Sequence, residues 1–208
     1  MGFLKNFSLQ FRHPKGFGGK VAGYIMAHTT GARNAWTLSQ LNIEIDDQVL
    51  EIGHGPGIGI LKCSEMAKQG KITGIDISET MHELAAHRNQ SAIKNGNVEL
   101  RIGGIETFDS FEERFDKIYS VNSVMFWPDR LAAFQNLYAW LKSGGVIATT
   151  YQPMYKGATK EDAVNYADDL INILKEVGFT NISKEMKDFK PVAAVCVLAR
   201  KRTQKDYQ

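Results

Sequence analysis

The chain is poor in cysteine, in long apolar runs and in excess charge, and each shortage narrows what it can be. Cys63 and Cys196 are its two cysteines, and neither stands in a C-x-x-C or a metal-ligand spacing. They read as core thiols in a reducing compartment, and no metal site is expected. No stretch approaches the roughly 18 consecutive apolar residues that cross a bilayer. The first residues lack the apolar core of a signal peptide, and Asn6 breaks the myristoylation pattern that Met1-Gly2 opens. The expected location is cytoplasmic. With 25 basic against 23 acidic residues the net charge is +2, which leaves no nucleic-acid footprint. Only residues 200–205 are locally basic, and they read as a solvated terminus.

What the chain does have is enough apolar content, 43% of 208 residues, to fill the core of one domain. Residues 1–19 are aromatic and basic, with Phe3, Phe7, Phe11, Arg12 and Lys15 among them. They fit an arm lying over a pocket better than an interfacial membrane anchor, because their apolar positions keep no helical period. Peripheral membrane contact through this segment stays open. A helix is expected over 20–41 with a break at Gly31, Val21, Tyr24, Ile25 and His28 recurring at helical spacing. Residues 1–45 are thus expected to form a cap on a domain spanning 46–208.

From Asp46 onward, short apolar runs alternate with helical patterns, the rhythm of a doubly wound α/β sheet. Strands are expected over 48–52, 72–77, 98–102, 115–121 and 146–150. Helices are expected over 58–68, 79–94, 129–141 and 161–177. Two last runs, 182–188 and 193–200, read as an antiparallel pair. The fold class is therefore α/β, a seven-stranded, mostly parallel, Rossmann-like sheet with an antiparallel C-terminal hairpin and an N-terminal helical cap.

The chain is organised around Val49-Leu50-Glu51-Ile52-Gly53-His54-Gly55-Pro56-Gly57-Ile58-Gly59. A buried strand runs into alternating glycines and then a helix, so bare backbone can approach a ligand at the helix N-terminus. The dinucleotide fingerprint G-x-G-x-x-G fails in every register, because its last position falls on Ile58 or Ile60. An acid, Glu51, closes the strand instead. A carboxylate there repels a pyrophosphate but suits a cationic amine and a sulfonium. A second acid, Asp76, ends the next strand in Gly74-Ile75-Asp76-Ile77, where open α/β sheets hold ribose hydroxyls.

This pair of acids with the glycines between them resembles the class I S-adenosylmethionine (SAM)-dependent methyltransferases, over about residues 46–201. The resemblance implies SAM as cofactor and S-adenosylhomocysteine as its product. It places Glu51 toward the methionine end, with Gly53, His54, Gly55 and Gly57 in the cofactor loop and Asp76 on the ribose. Ile77, Met81 and Ile105 fall near the adenine, and Asn122 falls where the fourth strand meets the methionine group. Gly104 departs from the family, since it stands where relatives usually carry an acid for the adenine amine.

The run Asn122-Ser123-Val124-Met125-Phe126-Trp127-Pro128 lacks the proline-rich clamp of enzymes that methylate base amines. It looks like the small-molecule methyltransferases related to those of quinone biosynthesis. The expected function is methyl transfer to a small, hydrophobic acceptor, with Tyr24, His28 and Trp127 as candidate pocket residues. Tyr24, His28, His54 and Tyr151 are candidates for a base, and none stands out as catalytic. Two other readings remain: a SAM- or adenosine-binding module without turnover, and an NAD-dependent oxidoreductase.

Overall fold

The computed structural model describes residues 30–203. The arm over 1–19, the first part of the helix expected over 20–41, Tyr24 and His28 lie outside the described residues.

Strands β1 (Gln48–Ile52), β2 (Lys71–Asp76), β3 (Val98–Ile102), β4 (Phe115–Val121), β5 (Leu141–Tyr151), β6 (Thr180–Lys187) and β7 (Ala194–Arg200) build one sheet. Its order is β3-β2-β1-β4-β5-β7-β6. Strands β1 to β5 run parallel, while β7 is antiparallel to both β5 and β6. This is the Rossmann-like sheet with an antiparallel C-terminal pair. Around it lie α1 (described over 30–41), α2 (Ile58–Met66), α3 (Glu79–Arg88), α4 (Gln90–Lys94), α5 (Arg130–Trp140) and α6 (Lys160–Val177).

Successive strand residues point to opposite faces, and β1 shows the consequence. Leu50 and Ile52 join one core with Phe134 and Leu137 of α5 and Leu170 of α6. Val49 joins the other with Leu38 and Leu41 of α1 and Ile60 and Cys63 of α2. Glu51 shares the face of Val49, and its lateral neighbour on β4, Tyr119, packs on that same side. The pleat thus aims the first acid at α2.

Two elements differ most from the sequence expectation. The helix expected over 79–94 is two helices parted at Asn89, whose Nδ2 donates to the Ala85 carbonyl at 2.8 Å and to the Gly57 carbonyl at 3.1 Å. An asparagine that reaches across to a neighbouring loop ends its own helix. Strand β5 begins at Leu141, five positions early, because the sheet absorbs residues 142–145 as a bulge: Phe115 pairs with Leu141 and Lys117 with Val146. The described part of α1 begins at residue 30 and is helical to residue 41. No helix among the described residues is long and apolar enough to cross a membrane.

Candidate active site

A cavity of about 390 Å³ opens at the C-terminal ends of β1 to β4. In an open parallel sheet this edge, where the chain order reverses from β1 to β4, is where ligands bind. Gly53 and Gly55 supply the β1 wall, and Asp76 and Ile77 the β2 wall. Gly103 to Glu106 close the β3 side, and residues 121–123 with Phe126, Trp127 and Pro128 close the β4 side. The volume falls in the range of small-molecule sites.

The loop after β1 is left-handed at Gly53 (φ 76°) and Gly57 (φ 76°), conformations that side chains disfavour. A Cβ on Gly53 would lie 2.5 Å from that of Ser123, and one on Gly57 would lie 2.7 Å from that of Ala85. The glycines therefore let the loop sink against β4 and α3. Asp76 pins it there. Its Oδ2 accepts from the Gly55 N–H at 2.8 Å, and its Oδ1 accepts from the Ser78 N–H at 2.9 Å. Two further acceptor sites remain on that carboxylate, open to hydroxyls in the cavity.

Of the residues expected here, Gly53, Gly55, Asp76, Ile77, Met81, Gly104, Ile105, Asn122 and Trp127 line the cavity. Glu51, His54 and Gly57 stand behind its wall. The Glu51 carboxyl, 2% exposed, lies under Gly59 and accepts a 2.7 Å hydrogen bond from the Tyr119 hydroxyl. Burial, above all, pushes its pKa up to about 8. The expectation of a charged carboxylate facing a sulfonium therefore needs correction. In the protein alone burial favours its protonated form, and the acids that line the cavity are Asp76 and Glu106.

His54 also turns inward, its ring packed over Gly74 and its Nδ1 2.7 Å from the Gly55 carbonyl. Burial lowers its pKa, so the neutral ring donates through Nδ1 and shapes the loop. Tyr151 is no wall residue either: it stacks on Tyr166 with centroids 4.0 Å apart.

Several lining residues escaped the sequence reading. Ser123 donates to the Ile52 carbonyl at 2.7 Å and ties β4 to β1. It stands next to the expected Asn122, which is left-handed at φ 52° and exchanges two bonds with the Gln152 backbone: its Oδ1 accepts at 2.7 Å and its Nδ2 donates at 3.3 Å. Thr30 and Glu106 complete the wall. Nothing local marks Ser123, Thr30 or Glu106 as lining residues. Among the described residues no group of three or more His, Cys, Asp and Glu could hold a metal ion.

Residues 49–145 match the model of a methyltransferase domain family. Over 181 residues the chain is 38% identical to the uncharacterized methyltransferase YdaC of Bacillus subtilis, covering 87% of this chain and 98% of that one. The chain belongs to the class I SAM-dependent methyltransferases. This methyltransferase superposes on a SAM-dependent methyltransferase of Aquifex aeolicus with a TM-score of 0.66, at 19% identity over 81% of this chain and 89% of that one. It also superposes, with a TM-score of 0.70 and 16% identity, on a phosphoethanolamine N-methyltransferase of Haemonchus contortus. That structure is a complex with phosphomonomethylethanolamine and S-adenosylhomocysteine, and the match covers 88% of this chain and 57% of that one. The narrower likeness to quinone-biosynthesis enzymes gains no support from these relatives.

The methyltransferase uses SAM as its cofactor, and the cavity suits it. Its β2 and β3 ends carry acids, Asp76 and Glu106, beside apolar Ile77, Met81 and Ile105. That arrangement sets hydrogen-bond acceptors beside apolar surface.

Proposed function

We propose that this enzyme methylates a small, largely hydrophobic acceptor, bound at the β4 end of the cavity and covered by residues 1–45. One observation carries the reading. The wall after β4 is Phe126, Trp127 and Pro128, while the side-chain amide of Asn122, the polar group best placed to clamp an acceptor amine, is spent on Gln152. Phe126 is 43% exposed at this rim, apolar surface that an apolar acceptor would cover. The Haemonchus complex supports the reading in size alone, since its phosphomonomethylethanolamine is small but polar.

In the proposed roles, Asp76 orients the ribose, the Gly53–Gly57 loop receives the methionine end, and Ile77 and Ile105 flank the adenine. When bound, the sulfonium supplies an already activated methyl group. What the protein must add is in-line alignment of the acceptor and exclusion of water. Trp127, braced on Phe134 with ring centroids 5.4 Å apart, gives the acceptor a fixed apolar wall. The lining acids Asp76 and Glu106 stand at the β2 and β3 ends, away from that wall. Proton removal, where an acceptor requires it, falls in this reading to Tyr24 or His28 of the cap.

The test is transfer from methyl-labelled SAM to fractionated cell extract. Label is expected in organic-extractable small molecules. Label confined to nucleic acid or protein would overturn the reading.

A further inference from the structure

One basic side chain near this cavity has no counter-charge among the described residues. Arg33 lies on α1 and is 3% exposed. Its Nη1 donates to the Gln152 side-chain carbonyl, and its Nε meets no acceptor. None of the ion pairs among the described residues involves it. A guanidinium carries five N–H donors and keeps its charge in proteins. Burying one with a single neutral acceptor is costly, and such charges are ordinarily paired.

Its place in the fold says which end of the cavity it serves. Thr30, Arg33 and Thr37 fall at i, i+3 and i+7 and share one face of α1. Thr37 meets Thr150 of β5 through their hydroxyls at 2.6 Å. Thr30, at the other end of this row, lines the cavity. Between them, Arg33 holds Gln152, whose backbone is clamped by the cavity residue Asn122. This cluster stands at the end of β5, three strand positions from Asp76 on β2, about 14 Å at the usual strand spacing. It is far from the sugar end and next to the wall assigned to the acceptor. The wider charge distribution agrees: no Asp or Glu precedes Glu44, whereas Lys5, Arg12, Lys15, Lys20 and Arg33 all do.

We propose that Arg33 is the counter-ion for an oxyanion, a carboxylate or phosphate, carried by the methyl acceptor. The acceptor is then an anionic amphiphile: its apolar body lies on Phe126 and Trp127, and its charged head passes between Thr30 and Asn122 to the guanidinium. The head supplies the acceptors that Nε and the remaining N–H groups lack, and Gln152 keeps the fork in place while the site is open. This inference rests on the assignment of the β4 end to the acceptor.

The test uses the full chain saturated with S-adenosylhomocysteine and three calorimetric probes: octanoate, octyl phosphate and 1-octanol. Wild type is expected to bind at least one anionic probe about tenfold or more tighter than octanol, and the tighter of the two names the head group. Arg33→Gln, which keeps a hydrogen-bonding group beside Gln152, is expected to bring the probes to within about twofold of one another. Arg33→Lys is expected to keep part of the preference, as a point charge without the fork. Retained S-adenosylhomocysteine binding reports that each variant is folded; if Arg33→Gln is not, Arg33→Met takes its place. Equal binding of all probes by wild type overturns the proposal, as does an anion preference that survives Arg33→Gln. A variant that instead loses S-adenosylhomocysteine affinity tenfold with its probe preference intact assigns the guanidinium to the cofactor's carboxylate, and the proposal fails. Wild type that binds no S-adenosylhomocysteine refutes the cavity roles themselves, a separate result.

Discussion

The carboxylate of Glu106 fills the space that a side chain at Gly104 would occupy: a Cβ built on Gly104 would lie 2.4 Å and 2.6 Å from its two oxygens. Both residues line the cavity beside Ile105. The Glu106 carboxylate thus stands where an acid at position 104 would place its own. Glu106→Ala is expected to weaken S-adenosylhomocysteine binding about threefold to tenfold, read by calorimetry. The inosine analogue, which lacks the amine, should bind wild type and variant alike. Gly104 has an ordinary extended backbone at φ −83°, so Gly104→Asp in the Glu106→Ala background is expected to restore the loss. Introduced alone, Gly104→Asp sets two carboxylates in one place and should weaken binding. Unchanged affinity in Glu106→Ala would sink this account.

Glu51 makes stability depend on pH. Burial raises its pKa from 4.5 to about 8 in the folded protein, so the native state holds a proton that the unfolded chain gives up. The contribution is fully present below about pH 4.5, the unfolded value, and declines until the folded group itself ionises near pH 8. Across that window, denaturant unfolding of wild type is expected to lose a few kcal/mol, at about 1.4 kcal/mol for each pH step of one. Glu51→Gln keeps an acceptor for Tyr119 and cannot ionise, so its profile should be flatter and should cross above wild type at alkaline pH. Parallel profiles would show that the carboxyl is not buried as described.

Gly59 faces that same carboxyl. A Cβ there would come within 2.5 Å of a Glu51 oxygen and 2.8 Å of the Tyr119 hydroxyl, neither of which has room to retreat in a packed interior. Gly59→Ala is expected to cost about 1–3 kcal/mol, against a small gain for the same change in an open helix. Chemical denaturation at pH 5 measures it, with Glu51 protonated. Paired with Glu51→Ala, which removes the obstructing atoms, the substitution should cost less than it does alone.

The sheet was legible where its signals are local. Strand β1 is a short run of mostly apolar residues, β3 alternates apolar with charged ones, β4 closes on Ile118-Tyr119-Ser120-Val121, and the observed limits of all three are those expected. The alternating glycines and the acid of Asp76 announced the cavity. What depends on partners distant in the chain was not legible. Asn89 splits a helix because Gly57 lies beside it. Residues 142–145 join a strand because Phe115 and Lys117 pair on either side of them. The sequence shows that Glu51 is acidic, but its raised pKa follows from burial, which outweighs the opposing hydrogen bond from Tyr119. Arg33 and Gln152, 119 positions apart, carry no shared signal at all.

Asn122 joins the two halves of the site, and its roles can be separated. Its left-handed backbone, φ 52°, is one that asparagine tolerates better than most residues and glycine adopts freely. Its side chain holds the Gln152 backbone from both sides, and Gln152 in turn holds Arg33. Asn122→Gly relieves the backbone and removes the clamp; Asn122→Ala removes the clamp and adds strain. If the clamp matters, both variants should lose turnover on whatever acceptor the extract assay identifies. Asn122→Ala should also unfold more easily by about 1 kcal/mol or more than Asn122→Gly. If Asn122→Gly turns over as wild type does, the asparagine is there for its backbone alone, and the wall after β4 is held in place by Ser123 and its bond to the Ile52 carbonyl.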